Sequence, residues 1–327
     1  MSKIGKETAT FRKYLIEEFY DDYRGGEISR RTFIRRVAFL TGSMAAAATA
    51  MTAVGCAPLE VPAATEAMPT PTPPAEEEAA NGLMPVEGAQ SPLSVPEGDP
   101  DVISGMVTFM NGSDEIMAYQ ARPAADGIYP AIMVCHENRG LNPHIADVAR
   151  RFAKNGYAAL ALDLLSREGG TSTHDRDEVP ALLTDAGADR HVSDFLAAAD
   201  YLQTLDFVDG ERLGMIGFCF GGGITWRVAT ALPTLKAAVP FYGPAPDLSQ
   251  VPNIKAAVLG VYAELDERIG AGIPDLEAAL DAAGANYQIN IYPGVNHAFH
   301  NDTGERYVEE QATQAWTDAL AWFAEYV

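Results

Sequence analysis

Five short apolar runs, Tyr129–His136, Ala158–Leu165, Leu213–Phe218, Ala237–Tyr242 and Ala256–Tyr262, recur through the second half of this chain. Runs of this length, apolar along both faces, suit strands buried on both sides, and helical periodicity fills most of the gaps between them. Between the first two, Ile145, Val148, Ala149 and Phe152 recur at helical spacing, and Asn155-Gly156 closes that helix. Further helices are expected over Val192–Leu205, Gly222–Leu232, Pro274–Ala283 and Val308–Tyr326, with another strand over Tyr287–Tyr292. An opening antiparallel pair, Met106–Met110 and Glu115–Arg122, turns at Asn111-Gly112. Strands alternating with helices predict an α/β fold: a mostly parallel central sheet with helices on both faces and right-handed crossovers. Residues 101–327 then form a single core, with function gathered beyond the carboxyl ends of the strands.

The remaining third of the chain reads differently. Residues 1–36 carry nine basic and six acidic side chains, no charge follows from Val37 to Leu59, and no Lys or Arg occurs between Arg36 and Arg122. Arg30-Arg31 ahead of a weakly apolar run resembles a twin-arginine export signal, and Ala53-Val54-Gly55-Cys56 resembles a lipobox with Cys56 as the lipidated residue. An uncleaved membrane anchor is the alternative. Residues 1–55 are thus expected to be a signal peptide, and the protein to be extracytoplasmic and lipid-anchored. Residues 56–100, with Pro69-Thr70-Pro71-Thr72-Pro73-Pro74 and Glu76-Glu77-Glu78, are expected to be an extended linker. The whole chain has a formal net charge of −22, and its basic residues are not clustered on any body segment, which excludes a nucleic-acid partner. Three cysteines make no disulfide framework and no zinc pattern.

The chemistry concentrates at Gly217-Phe218-Cys219-Phe220-Gly221, where a strand passes into a Gly-rich helix start. This is the pattern of a nucleophile elbow with cysteine in the serine position. A helix beginning just after Cys219 favours the thiolate through its dipole. A cysteine nucleophile needs a base and a group that orients the base. Asp266 and His297 both fall just beyond strand ends and complete the order nucleophile, acid, histidine. Asp266 as a mere helix cap, or Glu264 or Glu267 as the orienting acid, are the competing assignments. His297 and His300 lack a third ligand, so no metal is expected. His136 and Cys135 read as core, His144, His174 and His191 as surface residues, and Trp316, Trp322 and Phe323 as anchors of the last helix.

Over residues 101–327 the sequence resembles the dienelactone hydrolase family. The resemblance is carried by Val134-Cys135-His136-Glu137-Asn138-Arg139-Gly140, Gly156-Tyr157-Ala158-Ala159-Leu160-Ala161-Leu162-Asp163, Gly217-Phe218-Cys219-Phe220-Gly221-Gly222, Phe241-Tyr242-Gly243 and Asn296-His297-Ala298-Phe299. It implies an α/β-hydrolase fold, hydrolysis of an ester or lactone without a cofactor, and a triad of Cys219, Asp266 and His297. It further implies that Glu137 hydrogen-bonds the cysteine and that backbone N–H groups of Asn138 and Phe220 form the oxyanion hole. One position departs: Asn301 stands where the family carries an arginine that helps hold a substrate carboxylate. A second family arginine is placed at Arg176. The expected partner is a small ester or lactone, with a membrane contacted only through the leader and a monomer favoured. The alternative is an idle hydrolase-fold binding or scaffold lipoprotein; a thiol peroxidase lacks a resolving cysteine.

Overall fold

The computed structural model describes residues 3–43, 46–47, 49 and 83–327. The chain divides into two compact units, Met1–Met84 and Pro85–Val327. In the first, α1 (Lys3–Arg24) and α2 (Arg30–Thr41) are both helical. Ser29 caps α2 by accepting from the Thr32 N–H at 3.1 Å, and Tyr23 stacks on Phe33 at 5.5 Å. Arg36 pairs with Asp22 at 3.6 Å, tying α2 to α1. The arginine pair Arg30-Arg31 therefore sits in the first turn of a helix. Among the described residues no helix is long and apolar enough to cross a membrane. Cys56 and the proline-rich stretch around it lie outside the described residues.

The second unit is built on an eight-stranded sheet in the order β1-β2-β4-β3-β5-β6-β7-β8. Its strands are β1 (Val102–Asn111), β2 (Asp114–Pro123), β3 (Tyr129–Cys135), β4 (Ala158–Leu162), β5 (Val208–Phe218), β6 (Ala237–Phe241), β7 (Ala257–Ala263) and β8 (Tyr287–Tyr292). β2 runs antiparallel to its neighbours β1 and β4, and every other pairing is parallel. The hairpin turns at the expected place, with Asn111 opposite Asp114. β4, β6 and β7 are buried along their whole length, as runs without alternation require.

Helices α3 (Pro143–Lys154), α4 (Val179–Ala186), α5 (Ala188–Leu202), α6 (Phe220–Ala231), α7 (Glu267–Gly270), α8 (Ile273–Ala283) and α9 (Glu309–Tyr326) complete the unit. α3 starts with Asn142 accepting from the Ile145 N–H at 3.1 Å and Pro143 in its first turn. It buries Ile145, Val148, Ala149 and Phe152, the expected face. Phe152 also meets Trp316 of α9 at 4.6 Å between ring centroids, while Trp322 donates to the Ala257 carbonyl at 3.2 Å. The last helix is thereby anchored to the sheet as its aromatics suggested.

Two expectations are corrected. The helix placed at Val192–Leu205 spans Ala188–Leu202, because Gly187, at φ 83°, breaks the chain four residues earlier than the apolar spacing indicates. The compact unit that carries the sheet extends back to Pro85. Val86 and Val95 are buried, and the Val95 backbone is clamped from both sides: its N–H donates to Asp147 at 2.6 Å and its carbonyl accepts from Arg150 at 2.7 Å. Proline and glutamate recur in that stretch and mask two buried valines, of which Val95 is held by α3. Finally, His144 and His191 are buried rather than on the surface. His191 shares a hydrogen bond with the Leu183 carbonyl at 2.8 Å, and burial pushes its pKa down to about 3, so it is a neutral core imidazole. His144 lies 2.8 Å from Asp302 through Nδ1.

Candidate active site

Cys219 occupies the single residue between β5 and α6, with φ 56° and ψ −117°. L-residues rarely adopt such backbone, and it is held here by hydrogen bonds on either side. The Cys219 N–H donates to the Phe241 carbonyl at 3.0 Å, and the Gly223 N–H donates to the Cys219 carbonyl at 3.2 Å. The glycines flanking it are required by space. A Cβ on Gly217 would run into the Gly221 carbonyl and the Thr225 hydroxyl. One on Gly221 would sit 2.5 Å from both the Cys135 and His136 carbonyl oxygens. The first turn of α6 thus presses against the carboxyl end of β3, next to Glu137 and Asn138. Phe220 begins α6, where a backbone N–H has no acceptor within the helix.

His297 reaches the same place from the loop after β8. Its Nδ1 is 2.5 Å from Asp266 Oδ2, and its Nε2 is buried with no hydrogen-bond partner among the described residues. A His297 ring nitrogen lies within 4.8 Å of Cys219 Sγ. With Nδ1 engaged, Nε2 is the nitrogen left for the thiol. Asp266 does both things that its position allowed: it caps α7 through the Ile269 N–H at 3.3 Å and it holds His297. Burial raises its pKa, but the charge and hydrogen bond of His297, with Arg268 adding to them, outweigh burial and leave the carboxyl below its ordinary value. Glu264 instead accepts from the Gly294 N–H at 2.7 Å, and so is not the orienting acid.

Glu137 follows β3 and is buried. Its Oε1 accepts from the Tyr242 hydroxyl at 3.4 Å and its Oε2 from Asn301 Nδ2 at 2.6 Å. Tyr242 joins the two halves of the site, because its ring also lies 5.0 Å from that of His297. Burial, then the charges of Glu137 and Cys219, push its phenol well above the ordinary tyrosine range, so it remains a proton donor. Among the described residues three non-glycine residues have positive φ: Cys219, Tyr242 at 37° and Ala298 at 63°. All three belong to this site, where strained backbone aims side chains that relaxed backbone would turn elsewhere. Asn138 and Phe220 are buried beside Cys219's helix start, while Arg176 is exposed and contacts none of these groups.

Two contributors were not legible beforehand. Asn301 registered only as a missing arginine, yet it is the shortest contact Glu137 makes. Tyr242 registered only as part of a motif; its place after a buried strand was the available signal, but nothing in one dimension pointed its hydroxyl at Glu137.

The model of the Dienelactone hydrolase family matches residues 116–327. A protein of Salmonella typhi named "Putative carboxymethylenebutenolidase" is 34% identical over 261 residues, covering 75% of this chain and 96% of that protein. One of the same name from Methylorubrum extorquens is 37% identical over 241 residues, covering 69% and 82% respectively. Among solved structures, the "Putative Dienelactone Hydrolase" of Klebsiella pneumoniae is 35% identical with a TM-score of 0.65, covering 69% of this chain and 99% of its own.

Proposed function

This chain belongs to the dienelactone hydrolase family and is an ester or lactone hydrolase, and on that premise we propose that Cys219, His297 and Asp266 carry out the reaction through a thioacyl-enzyme. The observation that carries this reading is the His297–Asp266 hydrogen bond at 2.5 Å together with a His297 ring nitrogen within 4.8 Å of the sulfur of the strained Cys219 elbow. An idle binding protein would have no use for three strained backbones converging on one thiol.

In the first half-reaction the Cys219 thiol gives its proton to His297 Nε2, with the Glu137 carboxylate assisting. The thiolate attacks the carbonyl carbon and the carbonyl π electrons move to oxygen. Backbone N–H groups of Asn138 and Phe220 receive that oxyanion, each worth about 2.7–4 kcal/mol where such donors have been removed elsewhere. Collapse breaks the ester C–O bond, and the leaving alkoxide takes the proton from His297. In the second half His297 removes a proton from water, the hydroxide adds to the thioester, and the thiolate leaves. Asp266 keeps the imidazole in the needed tautomer and stabilises the imidazolium. Neither metal nor cofactor enters any step.

The test is acyl trapping. Brief exposure of the full chain to a p-nitrophenyl ester at low pH, followed by peptide mass analysis, is expected to show an acyl group on Cys219. A Cys219→Ala variant that hydrolyses the ester at the wild-type rate would overturn the assignment.

The leader supports a proposal about location: export through the twin-arginine pair, followed by lipidation of Cys56, with the proline-rich stretch as spacer. Replacing Arg30 and Arg31 with lysines is expected to keep the protein in the cytoplasm. Cys56→Ala is expected to abolish incorporation of labelled palmitate.

A further inference from the structure

Glu137 is buried and held by neutral donors. Its two carboxylate oxygens are met by a phenol at 3.4 Å and a primary amide at 2.6 Å, and among the described residues no Lys, Arg or His forms an ion pair with it. The amide cannot be turned round. Asn301 Oδ1 accepts from both the N–H of Thr303 at 3.1 Å and its hydroxyl at 2.8 Å, which leaves the NH2 end facing Glu137. The neighbouring cation along the chain, Arg139, is 4.0 Å from Asp177, and Arg176 is exposed. Glu137 and Cys219 nevertheless share one neighbourhood: the Tyr242 hydroxyl is 3.4 Å from Glu137, its ring lies 5.0 Å from that of His297, and a His297 ring nitrogen lies within 4.8 Å of Cys219 Sγ.

A carboxylate held by neutral donors keeps its negative field, and burial protects that field from salt. A second carboxylate brought into the same space is repelled by it. A guanidinium in place of the Asn301 amide would cancel the Glu137 charge and offer further donors to an anion. We propose that Asn301 is a specificity-determining residue: by holding Glu137 with a neutral amide locked by Thr303, it makes the site select uncharged acyl groups and turn away esters whose acyl portion carries a carboxylate. This deepens the thioacyl reading above, on which it rests for the placement of Cys219 and Glu137 around the substrate.

Two reagents that differ by one charge test it without requiring turnover. Alkylation rates of Cys219 in the full chain are measured with iodoacetamide and with iodoacetate, located by peptide mass, and their ratio is compared with that of N-acetylcysteine. Wild type is expected to disfavour iodoacetate at least tenfold more than the free thiol does. Asn301→Arg is expected to bring the ratio back by at least tenfold, while Asn301→Gln, which keeps a neutral donor, leaves it within about twofold. Glu137→Gln serves if the arginine variant does not fold: absolute rates fall, but the ratio moves towards iodoacetate. Hydrolysis of p-nitrophenyl pentanoate against the p-nitrophenyl monoester of glutaric acid should follow the same order, with the difference in KM. A wild-type alkylation ratio equal to that of the free thiol, or variants that change both reagents alike, would overturn the proposal. Charge selection in alkylation without hydrolysis of either ester would instead refute the thioacyl reading and leave this one standing.

Discussion

His297 Nδ1 lies 2.5 Å from Asp266 Oδ2, and the same carboxylate caps the short helix α7 through Ile269. One acid therefore sets both the tautomer of the base and the start of the helix that follows. Because the two roles use different oxygens, they can be separated by substitution.

Asp266→Asn retains an acceptor for the Ile269 N–H but offers Nδ1 of His297 the wrong partner in one orientation. Hydrolysis is expected to fall by about 10²–10⁴-fold, while the melting temperature at neutral pH moves little. A comparable loss in Tm, read by calorimetry, would mean that the capping role dominates.

The pH dependence of stability follows from the direction of the shift. Asp266 has a folded pKa below its unfolded value of roughly 3.9, so it stabilises the fold above that value. That contribution is lost as pH falls through the folded pKa. Asp302 behaves likewise: burial raises its pKa, but hydrogen bonds and charges from His144 and Arg151 bring it far below the ordinary range. Denaturant titrations between pH 6 and pH 2 are expected to show a smaller acid-induced loss of stability in Asp302→Asn than in wild type.

At neutral pH the same Asp302 variant is expected to be destabilised. Asp302 receives Arg151 at 2.7 Å, His144 at 2.8 Å and the Ser91 N–H at 3.2 Å, all around a fully buried carboxylate. Removing one partner of a buried pair costs about 3–5 kcal/mol, measurable as a shift in urea midpoint with an unchanged slope.

Truncation should locate the true edge of the catalytic body. A chain starting at Pro85 keeps the clamp of Asp147 and Arg150 on Val95, and is expected to melt as the intact body does. One starting at residue 101 removes the Val95 backbone partners of Asp147 Oδ1 and Arg150 Nε, leaving Asp147 to Arg151 and Arg150 to Tyr119, and is expected to lose several degrees of Tm.

Gly221→Ala should not be rescued by neighbouring side chains, since the clash is with two backbone carbonyls at 2.5 Å. A loss of about 1–3 kcal/mol or more is expected, together with the elbow. Wild-type thermal stability and thiol reactivity in this variant would show that α6 can retreat from β3.

The strands, the alternation and the elbow were legible because each depends on neighbours in sequence. A buried strand shows as an uninterrupted apolar run, as in β6 and β7, and the elbow needs Gly217 and Gly221 two residues either side of Cys219. Asp266 and His297 could be placed because topology puts the loops after β7 and β8 at the sheet end that carries Cys219. The edges failed where a few residues depend on a distant surface: Val95 on α3, His144 on Asp302.

Sequence by itself thus determined which residue types stand at the carboxyl ends of which strands, because that order is a property of the chain. Only the tertiary structure decided that Asn301 meets Glu137, that Thr303 orients the amide, and that Tyr242 lies between Glu137 and His297. Glu137 and Asn301 are 164 residues apart along the chain. Hydrogen bonds over such a separation are set by how the sheet closes and by the strained backbone at Tyr242 and Ala298, and neither leaves a local pattern to read.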